Sequence, residues 1–198
     1  MIIEKRVEQK FLRGINSSNL FMIKNKKYMK PLYPERKVYS LYFDTYDLKL
    51  FNDSQVKDYD KYKLRFRKYN NSENVTKEIK FTNETGKYKI TIPTIYKNFT
   101  DIENFFYKGN FLKPSIKVEY IRNYFEYKGN RMTVDSEIKF SDPMIEEKSH
   151  KLYDLVVYEI KILDKAASNF LSSNPVFSAI KFSKYEEGIK KLYFNNKI

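Results

Sequence analysis

The chain contains no cysteine, which excludes disulfides, thiolate zinc sites and a cysteine nucleophile. Histidine is nearly as scarce. His150, in a polar stretch read as a solvated loop, is the single imidazole, which excludes a multi-histidine metal site, and no partners for a Ser-His-Asp triad are identifiable around it. No apolar run approaches the ~18–20 residues of a membrane span, and no signal-peptide pattern opens the chain. The expectation is a soluble cytoplasmic protein with no membrane span.

What is present is charge and aromatic surface. A length of 198 residues fits one domain over 1–198, and 41% apolar residues suffice for a core, much of it from 18 Tyr and 16 Phe. The formal net charge of +13 points to an anionic partner: nucleic acid, a membrane surface, polyphosphate or a phosphorylated small molecule. Of the 38 basic residues 31 are Lys, and with abundant Asn and Ile this resembles the output of an AT-rich genome, so net charge alone names no partner. The seven arginines discriminate better. Arg6, Arg65, Arg67, Arg122 and Arg131 lie on patterned segments, where a planar fork suits carboxylate or phosphate.

The pattern itself is alternation of charge. In Lys61-Tyr62-Lys63-Leu64-Arg65-Phe66-Arg67 a strand would set Lys63, Arg65 and Arg67 in one row, ~6.6 Å apart, with Tyr62, Leu64 and Phe66 on the opposite face. The same layout recurs at residues 6–10, 78–80, 131–135 and 158–161. Strands are expected over 2–12, 38–43, 61–69, 75–82, 87–92, 115–127, 131–140 and 155–163, with turns at 70–74, 83–86 and Lys128-Gly129-Asn130. Short helices are expected over 20–28, through Phe51, over 101–108, over 164–171 and over 183–194. The fold class is therefore α+β: a closed, mostly antiparallel β-barrel of about eight strands with short flanking helices.

If the charged rows face inward, they gather Arg6, Glu8, Lys10, Lys63, Arg65, Arg67, Glu78, Lys80, Arg122, Arg131, Asp135, Glu159 and Lys161. Burying so many cations demands a compensating polyanion. A phosphate chain fits, with Arg and Lys on the non-bridging oxygens and a carboxylate or two holding Mg²⁺ or Mn²⁺ against them. Phosphoryl transfer asks little beyond positioning and charge neutralisation, so the lack of an evident nucleophile is no obstacle.

These segments, in order, resemble the VTC domain, the polyphosphate polymerase domain of the vacuolar transporter chaperone complex, within the triphosphate tunnel metalloenzyme and CYTH-like superfamily. Arg6-Val7-Glu8-Gln9-Lys10-Phe11 is similar to its first-strand signature, and Ser40-Leu41-Tyr42-Phe43-Asp44-Thr45 to its Ser-x-Tyr-Phe-Asp-Thr. Lys63-Leu64-Arg65-Phe66-Arg67, Glu78-Ile79-Lys80, Tyr120-Ile121-Arg122 and Arg131-Met132-Thr133-Val134-Asp135 follow, then Tyr158-Glu159-Ile160-Lys161 and Phe182-Ser183-Lys184-Tyr185. The resemblance implies a triphosphate tunnel fold, with Lys10, Arg65, Arg67, Lys80, Arg122, Arg131, Lys161 and Lys184 binding phosphate. It implies Glu159, with Glu8 second, as the ligands of Mn²⁺ or Mg²⁺. The implied substrates are ATP or another triphosphate and inorganic polyphosphate.

Where CYTH enzymes open with Glu-x-Glu-x-Lys, this chain has Arg6, which favours a polymerase, a phosphotransferase, over a triphosphatase. Tyr42 and Phe43 read as core, and Glu78 as structural or as orienting Lys80. Two other readings stand beside these: a non-catalytic polyphosphate binder, and a nucleic-acid-binding barrel. The second is disfavoured because bases and aromatics alternate on opposite faces instead of sharing one. No nucleic acid is therefore expected as a partner.

Overall fold

Alternation governs most of the chain, and antiparallel ladders follow from it. The computed structural model describes residues 7–56, 60–70, 72–84, 86–145, 147–152, 154–162 and 180–194. Arg6 and the helix expected over 164–171 lie outside the described residues.

The element order is β1 (Val7–Gly14), α1 (Ile15–Asn25), β2 (Met29–Asp44), α2 (Lys49–Gln55), β3 (Lys61–Tyr69), β4 (Thr76–Asn83), β5 (Gly86–Pro93), β6 (Phe105–Tyr107), β7 (Asn110–Tyr127), β8 (Asn130–Ser141), β9 (Ser149–Leu152), β10 (Leu155–Ile162) and α3 (Lys184–Ile189). A π-helical turn, Lys190–Phe194, continues α3. The described strands form one ten-stranded sheet in the order β1-β10-β8-β7-β2-β3-β4-β5, with β6 beside β7 and β9 beside β8.

The expected closed barrel of about eight strands is corrected in two respects. Among the described residues there are ten strands, and the sheet is not closed into a barrel, since its end strands β1 and β5 do not pair with one another. The composition of β5 suits a free edge: it carries Lys87 and Lys89, is mostly exposed and ends at Pro93, which has no N–H to donate.

Two local expectations also change. Residues 101–108 do not form a helix. Asn98 and Asp101 cap a 3₁₀ turn (Phe99–Asp101), and β6 then enters a hairpin at Lys108-Gly109, both at positive φ (47° and 73°). The Lys128-Gly129 turn between β7 and β8 has the same form, with φ of 50° and 75°, as a two-residue hairpin turn requires. His150 lies on β9 instead of in a loop.

The chain divides into two compact units. The first comprises residues 1–36, 120–138 and 152–182, and the second 37–119, 139–151 and 183–198. Each has its own apolar core on the sheet face opposite its charged row. In the first unit Phe11, Met132, Val134, Val156, Tyr158, Ile160 and Ile162 form that face, and α1 covers it through Phe21. Phe21 meets the Tyr158 ring edge-on at 5.3 Å, and the Ser18 and Tyr158 hydroxyls share a 2.6 Å hydrogen bond. In the second unit Leu41, Phe43, Leu64, Phe66 and Ile79 pack with Leu50 of α2 and with Ile102 and Leu112.

In the second unit α3 approaches its neighbours so closely that any side chain at residue 188 forces them to shift. A Cβ there would lie 2.2 Å from Ile116 Cδ1 and 2.7 Å from Phe140 Cδ1.

Candidate functional site

The second unit carries the denser charge. Strand pairing sets Lys63, Lys80 and Lys89 opposite one another on β3, β4 and β5. One step along the same face, Tyr42, Arg65 and Glu78 form a parallel line across β2, β3 and β4, and Ser40 and Arg67 begin a third. The face is secluded: the side chains of Arg65, Arg67 and Glu78 are 13%, 5% and 4% exposed.

Glu78 is the hub of this row. It accepts from Arg65 Nε at 2.7 Å and from Lys89 Nζ at 2.5 Å, and Arg67 Nη1 lies 3.5 Å away. Burial alone would push its carboxyl up, but the fields of Arg65, Arg67 and Lys89 outweigh burial and hold it well below the usual carboxylate range. Arg67 also donates to Ser40 Oγ at 3.2 Å.

Tyr42, read from the sequence as core, faces this row. Arg65 Nη1 donates to its hydroxyl at 2.7 Å, and its ring stacks on Tyr185 of α3 at 5.1 Å. Burial pushes the phenol up, yet Arg65, Arg67 and Lys80 together draw it down from 10.0 to about 8. Phe43, by contrast, lies in the apolar core as expected.

Helix α3 bears on the same row. Ser183, its N-cap, and Glu186 both accept from Lys63. Behind it Asp44 is a structural anchor. Its carboxylate accepts from the backbone N–H of Thr45, Leu50 and Phe51 at 2.7, 2.8 and 3.0 Å, and from the Tyr185 hydroxyl. One carboxylate thus fixes the start of α2 and the position of α3. Lys184 is the first residue of α3 and is half-buried.

The first unit holds a more balanced row. On β1 and β10, Glu8 lies opposite Lys161 and Lys10 opposite Glu159, a checkerboard of two acids and two bases. Lys161 Nζ is 3.2 Å from Glu8, and Lys10 Nζ is 3.8 Å from Glu159 and donates to the Phe182 carbonyl at 3.0 Å. Arg122 grips Asp135 through two bonds of 2.6 and 2.7 Å, with Asp135 1% exposed. Thr133, opposite Glu159, is buried, and its hydroxyl has no hydrogen-bond partner. Arg131 is exposed, its guanidinium over the Tyr33 and Tyr124 rings at 5.8 and 5.6 Å.

Within the second unit the structure brings Arg65, Arg67 and Lys80 together. Within the first it brings together Lys10, Glu8, Glu159 and Lys161, with Arg122 engaged by Asp135. Sequence reasoning missed Tyr42, Lys89 and Glu186. Tyr42 and Lys89 carry a signal, since each continues an alternating row; Glu186 reaches Lys63 only through the path of α3.

A family model for the VTC domain matches residues 6–102 and 94–193. The chain belongs to the VTC domain family. No curated protein matches this VTC domain in sequence. Among solved structures, it is similar to a Bacillus halodurans protein provisionally assigned as an adenylate cyclase, with TM-score 0.58, 13% identity and coverage of 91% of this chain and 94% of that one. The PH1819 protein of Pyrococcus horikoshii has TM-score 0.54 and 14% identity, with coverage of 93% and 99%. The Hippeastrum protein HpAC1, provisionally an adenylyl cyclase and reported to have a dominant triphosphatase activity, has TM-score 0.50 and 13% identity, with coverage of 91% and 93%. At such identities the likeness is one of fold.

Proposed function

We propose that this VTC domain is a metal-dependent phosphotransferase that moves the γ-phosphate of ATP onto a growing inorganic polyphosphate chain. One observation carries the reading. Lys63, Lys80 and Lys89 stand directly opposite one another across three adjacent strands, beside the secluded Arg65 and Arg67. Like charges placed opposite one another destabilise a sheet, and a multiply charged anion reverses that cost.

In this reading Arg65, Arg67 and Lys80 bind non-bridging phosphate oxygens, and Lys10, Arg122, Arg131, Lys161 and Lys184 add further phosphate contacts. Among the described residues no group of three or more His, Asp or Glu could hold a metal by itself. Two carboxylates suit a small divalent cation that arrives on phosphate and keeps several waters. Glu159 and Glu8 are that pair, and the unpartnered Thr133 hydroxyl opposite Glu159 can bond such a water or a phosphate oxygen. Bound Mn²⁺ or Mg²⁺ would supply neutralisation of phosphoryl charge.

The transfer itself needs no protein nucleophile. A terminal oxygen of the chain bonds to the γ-phosphorus while the bond to the β-phosphate oxygen breaks, and ADP leaves with that electron pair. The arginines hold the charge that spreads over the transferring group.

Hydrolysis of inorganic or nucleoside triphosphate is the second reading, favoured by the fold likeness to HpAC1. One assay separates the two: ATP with Mn²⁺ or Mg²⁺, following polymer by gel and phosphate by colour. Long chains with stoichiometric ADP support the polymerase. Free phosphate without polymer overturns it in favour of the triphosphatase. Tight triphosphate binding with neither product marks a binding module.

A further inference from the structure

Acidic residues are absent from a surface segment of the first unit. Residues 13–34 contain no Asp or Glu but include Arg13, Lys24, Lys26, Lys27 and Lys30. This stretch holds α1 and the turn after it. The inner side of α1 is spent on the core through Ser18 and Phe21. Its outer side presents Leu20, 52% exposed, and Ile23, 72% exposed.

At about 100° per residue, the order around the helix is Lys26, Ile23, Leu20, Lys24. Two exposed aliphatic side chains therefore stand between two lysines, with the exposed Asn16 and Asn19 on the same arc. Ile23 also forms one wall of a groove of about 420 Å³ whose other lining residues are Met22, Lys26, Met29, Pro31 and Phe125. At its edge Tyr28 is exposed, with the Lys27 and Lys128 ammonium groups each 4.8 Å from its ring centre. Farther along, Lys30 lies 3.8 Å from the Glu126 carboxylate.

We propose that this face docks on an anionic lipid bilayer. Leu20 and Ile23 enter the boundary between headgroups and acyl chains, Tyr28 sits at headgroup level, and the lysines meet lipid phosphates and carboxylates. An apolar centre, a cationic rim and an interfacial aromatic are the components such binding uses. A second copy of the chain is a poorer occupant. A two-fold contact through this face would press the same lysine-rimmed surface, with no Asp or Glu in residues 13–34, against itself. No helix among the described residues is long and apolar enough to cross a membrane, so the attachment is superficial. The proposal is independent of the phosphate reading.

The test is vesicle sedimentation of the full chain, with saturating tripolyphosphate at matched ionic strength so that the charged rows cannot capture lipid phosphate. The protein should co-sediment with phosphatidylcholine vesicles containing about 30% phosphatidylserine at least tenfold more tightly than with phosphatidylcholine alone. The double variant Leu20→Asp, Ile23→Asp should lose binding to both. The triple variant Lys24→Glu, Lys26→Glu, Lys27→Glu should lose the preference for the anionic lipid. Because the chain has no cysteine, Ile23→Cys with an environment-sensitive dye gives a second readout, whose emission should shift to the blue on anionic vesicles.

Three results overturn the proposal. One is no sedimentation of the wild-type chain. Another is unchanged binding by the aspartate double variant. The third is a concentration-dependent dimer that the double variant makes monomeric, which would assign the face to a second copy.

Discussion

The two units present charged rows built to different rules. In the second unit Lys63, Arg65, Arg67, Lys80 and Lys89 share one face with two carboxylates, Glu78 and Glu186, and Glu78 alone serves three cations. In the first, the carboxylates are spread among the cations: Glu8 lies beside Lys161, Glu159 beside Lys10 with its field also reaching Arg122, and Asp135 grips Arg122. A surplus of buried positive charge calls for a polyanion, whereas a checkerboard of single pairs is close to neutral without one. A checkerboard can nevertheless exchange a lysine contact for a metal ion when phosphate arrives to take the lysine. The same alternating sequence pattern thus yields a row with more cations than carboxylates in one unit and a nearly balanced row in the other.

Breaking the buried pairs should separate the rows most sharply. Glu78→Gln and Asp135→Asn each leave buried guanidinium charge without its carboxylate, and each should lower stability by about 3–5 kcal/mol in urea unfolding. Tripolyphosphate should restore much of the loss in Glu78→Gln, where three freed cations can grip it, and less in Asp135→Asn. Equal rescue would remove the distinction between the units.

Next in size is direct ligand affinity. Arg65→Ala should weaken tripolyphosphate binding by ~1.5–3 kcal/mol, roughly 10- to 150-fold by calorimetry, while Glu78 keeps Arg67 and Lys89. Lys161→Ala should cost less than about tenfold without metal, because its charge is shared with Glu8. If Lys161→Ala costs as much as Arg65→Ala, both rows carry a surplus.

Packing supplies a smaller effect. Gly188→Ala forces a methyl group into the Ile116 and Phe140 side chains, and should lower stability by about 1–3 kcal/mol. Because α3 carries Glu186 and Ser183 to Lys63, the same variant should disturb phosphate binding in the second unit. Unchanged binding would show that α3 is not needed to set that row.

The mildest effect is on pH dependence. Folding lowers the Tyr42 phenol from 10.0 to about 8, so the phenolate is favoured by the fold. Its contribution to stability is fully present above pH 10 and is lost as pH falls through about 8. Absorbance at the tyrosinate band should show one early transition near pH 8, absent in Tyr42→Phe. Tripolyphosphate affinity should decline above that pH, because the phenolate then competes for Arg65, and Tyr42→Phe should flatten the decline.

Much of this arrangement is legible in the sequence. The Lys63, Arg65, Arg67 row and the Phe11, Ile160, Phe66 faces behind the charged rows follow from a period of two, and most strand segments are found nearly where alternation puts them, although β2 begins at Met29 instead of 38 and β6 and β9 were not expected. The Lys108-Gly109 hairpin escaped because Asp101-Ile102-Glu103-Asn104 imitates a helix cap, although Lys-Gly-Asn recurs at 128–130 as a turn. Glu137, at φ 51°, breaks the period of β8, and nothing in its side chain announces a left-handed residue there. Tyr42 escaped because an aromatic beside Phe43 looks like core. Its hydroxyl has meaning only once β2 is registered against β3 and Arg65 is brought to it.

The sequence by itself determined which residues share a face of a strand, because side-chain direction in an extended chain alternates by covalent geometry. It thereby separated the charged rows from the apolar faces and carried the motifs of the VTC family. Tertiary structure alone decided which rows became neighbours. Register set three lysines side by side, let Glu78 serve three cations while Glu8, Asp135 and Glu159 were spread among Lys161, Arg122 and Lys10, and brought α3 over Lys63. Among the described residues it also left β1 and β5 unpaired with one another. The reason is physical: hydrogen-bonded pairing and burial join residues far apart in the chain, and no local period encodes which distant strand a given row will meet.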